Sequence, residues 1–202
     1  VLATGASERG FAFGNNDRPG VMLAGAIRSY ACRYGVMAGR SAVLATCHDG
    51  TYDDAIMLAR LGMEITLIDA RNKPSRRAKE AQAAGIDVLS GRVPVNVAGV
   101  KSVAALEIAE IDEAGEISDN TTIIGCDLVG VSGGYSPVIH LPSHLGIKPR
   151  WEASINAFVT GKTTENIYMV GSADGIYDHQ ACLDHALQVT QKIKGEKTET
   201  KP

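Results

Sequence analysis

The residues best placed to do chemistry stand at two adjoining turns. Glu64-Ile-Thr-Leu-Ile-Asp69 is an apolar run that ends in an acid. A carboxylate at the end of such a strand can accept hydrogen bonds from the hydroxyls of a nucleotide ribose. Before it, Ser41-Ala-Val-Leu-Ala-Thr46 runs into Cys47-His-Asp-Gly50, where a glycine-rich turn would offer backbone N–H groups to a pyrophosphate. Other candidates carry less. Asp178-His179 and Asp184-His185 are acid–imidazole neighbours, but adjacent residues on a helix do not face each other, so they read as surface or capping groups. His140 and His144 have the spacing of helical metal ligands. Pro142 between them argues against a helix, and no nearby Cys or Glu completes a ligand set, so no metal is expected. Cys32, Cys47, Cys126 and Cys182 form no CxxC and read as reduced core thiols. No Ser-His-Asp order, nucleophile elbow or carboxylate pair stands out, and no catalytic residue is expected.

Residues 41–69 would make those two turns neighbours, because they read as strand, turn, helix, strand. Both apolar runs have the branched composition of buried parallel strands. Between them, Tyr52–Leu61 sets Ala55, Leu58 and Ala59 at helical spacing, Asp53 and Asp54 suit the first turn, and Gly62 stops the helix. This is a βαβ unit of Rossmann type. Its phosphate turn departs from the pattern. With Asp53-Asp54-Ala55 aligned on the usual acid-acid-Ala of the helix, the three glycine positions fall on Thr46, His48 and Thr51, and Gly50 is off-register. A β-branched side chain at the first position and an imidazole at the second fill the space a phosphate needs. The unit is expected to keep its fold and to have lost its dinucleotide.

With 202 residues, 45% hydrophobic and 21% charged, the chain can bury one large or two small cores. A net charge of −3 and few aromatics give no case for nucleic acid or for an anionic membrane surface. No apolar run approaches the ~20 residues of a membrane span. Reduced cysteines suit a cytoplasmic protein. The chain opens on Val1-Leu-Ala inside a strand pattern, without an initiator Met, and reads as a piece of a longer polypeptide.

Val1–Ala6 reads as a strand ending in Thr4-Gly5, 7–20 as a crossover loop, and Val21–Tyr34 as a helix ended by Gly35, with Arg28 and Arg33 solvated or at an interface. Arg71 reads as a solvated loop residue beside the acid. Ser75–Ala84 is an amphipathic helix capped by Ser75, and Asp87–Ser90 a third parallel strand. Val100–Ile111 and Ile117–Gly125 form a hairpin about Glu113-Ala-Gly-Glu116, and Cys126–Ser132 is another buried strand. After a loop-rich return come a strand pair in Trp151–Val159, a strand Asn166–Gly171, the turn Ser172-Ala-Asp-Gly175, and a helix Asp178–Lys194 striped with Cys182, Leu183, Leu187, Thr190 and Ile193. The expected fold class is α/β: a Rossmann-like three-layer domain with a parallel sheet and a β-meander, flanked by split pieces of a second dinucleotide-binding domain. The expected divisions are 1–38 (exit strand and crossover helix of the first dinucleotide-binding domain), 39–136 (inserted NAD(P)-binding-like domain), 137–193 (return strands and closing helix) and 194–202 (disordered tail).

That order, a strand ending Ala-Thr-Gly, a complete inserted domain, then a strand, glycine turn and helix, resembles the two-dinucleotide-domain flavoproteins. Longer strings narrow it. Val1-Leu-Ala-Thr-Gly-Ala-Ser-Glu-Arg9, Asn16-Asp-Arg-Pro-Gly-Val-Met-Leu-Ala24, Asp127-Leu-Val-Gly-Val-Ser-Gly-Gly-Tyr-Ser-Pro-Val-Ile-His-Leu141 and Val170-Gly-Ser-Ala-Asp-Gly-Ile-Tyr-Asp178 resemble the α subunits of heterotetrameric sarcosine oxidases. The likeness runs from Val1 to about Ile193, and related opine oxidase and hydrogen cyanide synthase subunits share the layout.

The resemblance implies a bacterial cytosolic complex that oxidatively demethylates sarcosine. It implies FAD in the β subunit, FMN between α and β, and NAD bound by α. It also implies an upstream dinucleotide-binding segment and a downstream folate-binding domain of the same chain. By position, Thr4 and Gly5 match the strand end that approaches NAD, and Gly171, Ser172 and Gly175 match the turn that closes over it. Many relatives place Asp, a ligand of the FAD ribityl chain, where Ser172 stands, so the resemblance does not extend to FAD at this site and leaves NAD open. Asp69 would read ribose only if the inserted domain bound a nucleotide. Two readings follow: a non-catalytic, nucleotide-associated scaffold within an oxidase subunit, or a free-standing NAD(P)-binding domain of a reductase. A pure interaction module docking through Val21–Tyr34 is the third.

Overall fold

The computed structural model of the chain describes residues 1–73, 75–163 and 166–195. In chain order these form β1 (Ala6–Glu8), β2 (Val21–Leu23), α1 (Ala24–Tyr34), β3 (Ser41–Thr46), α2 (Gly50–Arg60), β4 (Glu64–Asp69), α3 (Ala78–Ala83) and β5 (Asp87–Ser90). There follow β6 (Arg92–Ala98), β7 (Ala105–Ile111), β8 (Ile117–Gly125), β9 (Leu128–Ser132), β10 (Tyr135–Pro137), α4 (His140–His144), β11 (Pro149–Glu152), β12 (Ala157–Thr160) and α5 (His179–Lys194). Two compact units result, residues 8–134 and residues 1–7 with 135–202. Of the tail expected over 194–202, Lys194 ends α5 and Gly195 caps it with left-handed φ; residues 196–202 lie outside the described residues.

Residues 8–134 are built on a parallel sheet in the order β2-β9-β3-β4-β5. Both of its faces are covered, which is why its central strands are near-continuous runs of branched residues. On one face, Ile27, Leu58 and Ala81 of α1, α2 and α3 share a core with Leu44, Leu67 and Leu128. On the other, Val43, Ala45, Ile68 and Val131 share a core with Val97, Leu106 and Ile108 of the antiparallel sheet β6-β7-β8. The expected three layers are present. A fully buried Leu, Ile or Val contributes about 1.5–3 kcal/mol, against about 1 kcal/mol for a typical hydrogen bond. The two apolar layers therefore hold the sheet.

Several elements differ from the sequence reading. Val21–Leu23 is a strand, paired in parallel with Val129–Val131, and the helix begins only at Ala24. Met22, Ala26 and Ile27 can share one helical face, which is what suggests a helix from Val21, but tertiary pairing of a β-branched start prevails over that pattern. Because β2 joins this sheet, β2 and α1 fall within the 8–134 unit, not in a flanking piece ending at 38. Arg28 is not merely solvated; its Nε lies 2.9 Å from Asp54 of α2. The strand β6 was not read, since Gly91 and Pro94 resemble a loop; a register shift between Pro94 and Asn96 accommodates the proline. The helix expected from Ser75 starts at Ala78, while the Ser75 hydroxyl accepts the Arg77 N–H at 3.0 Å.

In the other unit, the expected strands Val1–Ala6 and Asn166–Gly171 reduce to one parallel bridge, Leu2 with Met169. His140–His144 is a short helix despite Pro142, which falls in the first turn, where a missing N–H costs nothing. Among the described residues, no group of three or more His, Cys, Asp and Glu could hold a metal ion. β11 and β12 form the expected strand pair, with Trp151 opposite Phe158. Asp178 caps α5 by accepting the Ala181 N–H at 2.9 Å. The apolar stripe of α5 forms, yet none of the helix is buried and Leu183, Leu187 and Ile193 face outward. No described helix is long and apolar enough to cross a membrane.

Gly130 lies mid-strand in β9. A Cβ there would run into Leu44 Cδ2 and stand 2.8 Å from Ile27 Cδ1, so the bare backbone is what lets α1 approach the sheet. Gly130→Ala is expected to destabilise the chain by about 1–3 kcal/mol through overpacking. Urea denaturation with an unchanged slope would measure it.

Candidate functional site

β3 lies between β9 and β4, with Thr46 opposite both Ser132 and Asp69. Chain order reverses between β9 and β3. In open α/β sheets the crevice beyond the strand ends at such a point is where ligands bind. The structure brings the three fingerprint positions and the strand-end acid together here, and each is bonded to the chain itself.

The Thr46 hydroxyl donates to the His48 carbonyl at 3.0 Å, accepts the His48 N–H at 3.2 Å, and lies 2.8 Å from the Thr51 hydroxyl. Its one proton is used on the carbonyl, so Thr51 donates to Thr46. The first and third glycine positions are thus joined side chain to side chain across the turn. At the second, the Gly50 N–H donates to His48 Nδ1 at 3.1 Å, and His48 Nε2 lies 2.8 Å from the Ser132 hydroxyl. A nitrogen that accepts a backbone N–H carries no proton. The neutral ring therefore holds its proton on Nε2 and donates it to Ser132. Burial first, and then Arg71, push the His48 pKa down, which keeps the ring neutral. An imidazole whose Nε2 already bears a proton cannot take one from Ser132, so this contact is not an activated nucleophile. Neighbouring Cys47 is pushed up, first by burial and then by Asp69, and stays a thiol.

Asp69 is 0% exposed. Tyr52 donates to its Oδ2 at 2.9 Å, the Arg71 N–H to Oδ1 at 2.9 Å, and the Arg71 guanidinium to both oxygens at 2.7–3.2 Å. That saturates a carboxylate and leaves nothing for ribose hydroxyls. Arg71 is not a solvated loop residue: the same guanidinium reaches Asp49 Oδ1 at 2.7 Å, and its pKa is raised, above all by its bonds to Asp69. Asp49 also accepts from Ser75 at 2.8 Å. Burial alone would raise the Asp49 pKa, but the bonds from Arg71 and Ser75 hold it below the ordinary value. Tyr52 is pushed up by burial and then by the Asp69 carboxylate, so it remains a phenol donor.

The remaining candidates lie in the other unit. The Leu2–Met169 bridge is parallel, with the Leu2 N–H on the Tyr168 carbonyl at 2.7 Å and the Val170 N–H on the Leu2 carbonyl at 3.0 Å. Gly5, Gly171 and Gly175 all have left-handed φ, at 78°, 67° and 82°. The Thr4 hydroxyl donates to the Val138 carbonyl at 2.7 Å. The Gly171 N–H donates to His185 Nδ1 at 3.3 Å, and His185 Nε2 stands 3.7 Å from Asp174. His185 is thus more than a surface residue. Ser172 begins the turn that Gly175 closes, Gly175 N–H to Ser172 carbonyl at 3.2 Å. The two donors that sequence order offers a nucleotide, Thr4 Oγ1 and Gly171 N–H, are both engaged internally.

Sequence reasoning missed Tyr52, Ser132 and His185 as partners. The one available signal was the third position of the fingerprint, which placed Tyr52 next to Thr51 at the start of the helix.

This is the Rossmann-like fold of the thioredoxin reductases and related flavoprotein reductases. Thioredoxin reductase of T. acidophilum superposes on 92% of this chain and 60% of its own, with TM-score 0.67 at 15% identity. The Lactococcus lactis thioredoxin reductase matches 96% of this chain and 64% of its own at TM-score 0.66 and 18% identity, and L-proline dehydrogenase of P. horikoshii 98% and 35% at 0.62 and 22%. No protein-family model matches the chain. In sequence it is similar to sarcosine oxidase subunit alpha: 42% identical over 185 residues to that of Corynebacterium sp. (strain P-1) and 36% over 187 residues to that of Rhizobium meliloti (strain 1021). The similarity covers 91% of this chain but only 19% and 18% of those two subunits.

Removing the Tyr52 hydroxyl tests how much the Asp69 cluster holds. Tyr52→Phe keeps the ring in the core and leaves Asp69 paired with Arg71. It is expected to cost about 2 kcal/mol, the scale of one hydrogen bond to a charged group. Urea denaturation should register this loss without loss of fold.

Proposed function

We propose that this chain is a nucleotide-associated scaffold within the α subunit of a sarcosine oxidase-type complex and is not itself catalytic. The whole protein would oxidise a CH–NH bond of sarcosine, with FAD in the β subunit, FMN between α and β, and electrons passing to oxygen. The inserted domain would serve as structure. The flanking unit would supply part of an NAD pocket through Thr4, Gly5, Gly171, Ser172 and Gly175. That pocket would be completed by an upstream dinucleotide-binding segment, with a folate-binding domain downstream. NAD binding there would exchange the Thr4–Val138 and Gly171–His185 hydrogen bonds for bonds to the ligand.

One observation supports the scaffold reading: the side chain at every fingerprint position, and the acid that would hold ribose, is hydrogen-bonded within the chain itself. The reading of a free-standing NAD(P)-binding domain needs those groups open. Calorimetric titration of NADH and NADPH into the chain, with His48→Gly and Asp69→Ala alongside, separates the two. The expected result is no binding by the wild-type chain, with weak binding gained in His48→Gly as the turn opens. Micromolar binding by the wild type that is lost in Asp69→Ala would overturn the scaffold reading.

A further inference from the structure

Among the described residues, the antiparallel sheet β6-β7-β8 ends on β8, which pairs on one side, with β7. β8 is nine residues long, and all of it is exposed except Ser118 and Ile124. Ile117 and Ile123 are 54% and 69% exposed. These residues alternate with Asp119 and Thr121 on the face that looks away from Leu106 and Ile108 of the core. Natural edge strands are usually shortened, covered, or guarded by lysine or proline. β8 is long and carries no lysine or proline; its guards are Asp119 and a shift in its register with β7 between Thr121 and Ile117, which leave Thr121–Gly125 regularly paired and open on the far side.

Its charge is one-sided. The hairpin Ala105–Gly125 holds six of the chain's 23 acids (Glu107, Glu110, Asp112, Glu113, Glu116 and Asp119) and none of its 20 bases. Two concavities run along it. One of about 410 Å³ is walled by Glu110, Asp112, Glu116 and Ile117. The next, of about 150 Å³, continues past Ser118, Asn120, Thr122 and Arg92 of β6; the two share Ser118 and Glu110, whose carboxylate Arg92 holds at 2.8 Å.

We infer that the β8 edge docks an extended, basic segment of a partner polypeptide, which adds to the sheet as a fourth strand. Backbone hydrogen bonds supply the affinity. Alternating side chains supply the choice: branched apolar residues against Ile117 and Ile123, and Lys or Arg toward Asp119 and toward Asp112 and Glu116 of the larger concavity. A second copy of this chain is the wrong occupant, because pairing β8 with itself sets one all-acidic hairpin against another. This inference does not depend on the nucleotide reading.

The test is an amide NMR titration of the chain at physiological ionic strength with the peptide Thr-Lys-Val-Lys-Val-Lys-Thr and with its Glu-for-Lys counterpart. Expected are shifts and slowed hydrogen exchange confined to β8 and its turn, with the basic peptide only. Binding should weaken about tenfold or more in Ile123→Lys, since an edge lysine obstructs strand addition. The side chain at 123 is largely exposed, so this variant should keep the wild-type melting temperature. Equal binding of the acidic peptide, equal affinity in Ile123→Lys, shifts elsewhere only, or β8 amides already protected in a self-associated chain would each overturn the inference.

Discussion

A buried carboxylate cannot be left alone. Asp69 sits at the end of a central strand with no solvent contact, and ionised it would be very costly there without partners. Tyr52 and Arg71 provide them, from the first turn of α2 and the residue but one after the strand. This requirement organises the whole end of the sheet. It fixes the guanidinium of Arg71, which fixes Asp49, which holds Ser75 ahead of α3. In a nucleotide-binding relative of this fold the same acid would share its oxygens with a ribose. Here the chain has supplied the donors itself.

The turn beside it follows the same logic with neutral groups. Glycines in a phosphate-binding turn leave room and leave N–H groups pointing outward. Thr46, His48 and Thr51 each add a side chain, and each side chain satisfies a neighbour: hydroxyl to hydroxyl, imidazole to the Gly50 amide and to Ser132. A crevice whose polar groups are already paired offers a ligand only exchange, with no net gain in hydrogen bonds. The fold persists because two apolar layers hold it, independently of what the sheet ends bind.

Much of this was legible in the sequence. The runs at 41–46 and 64–69 matched β3 and β4 residue for residue, and the mismatch at Thr46, His48 and Thr51 was visible without coordinates. Their mutual bonding was not, because Ser132 is 84 residues from His48 and only the parallel pairing of β9 with β3 brings it near. The Val21–Leu23 strand was hidden for the same reason, since a three-residue strand has no periodicity of its own and exists through β9. β6 was masked by its proline and flanking glycine, and Asn166–Gly171 looked like a strand but makes a single bridge. Local pattern predicted long, doubly buried elements; it failed where pairing across the chain decides.

The central claim is that the crevice is closed by the chain's own side chains, and the imidazole of His48 reports on it most directly. Nitrogen-15 NMR of the histidine rings distinguishes the two tautomers and the charged form. The account predicts that His48 remains neutral with its proton on Nε2 from mildly acidic to mildly basic pH, and that saturating NADH leaves its signals unmoved. A ring that charges near the ordinary histidine value, or whose signals shift as NADH is added, would show an open turn and contradict the account.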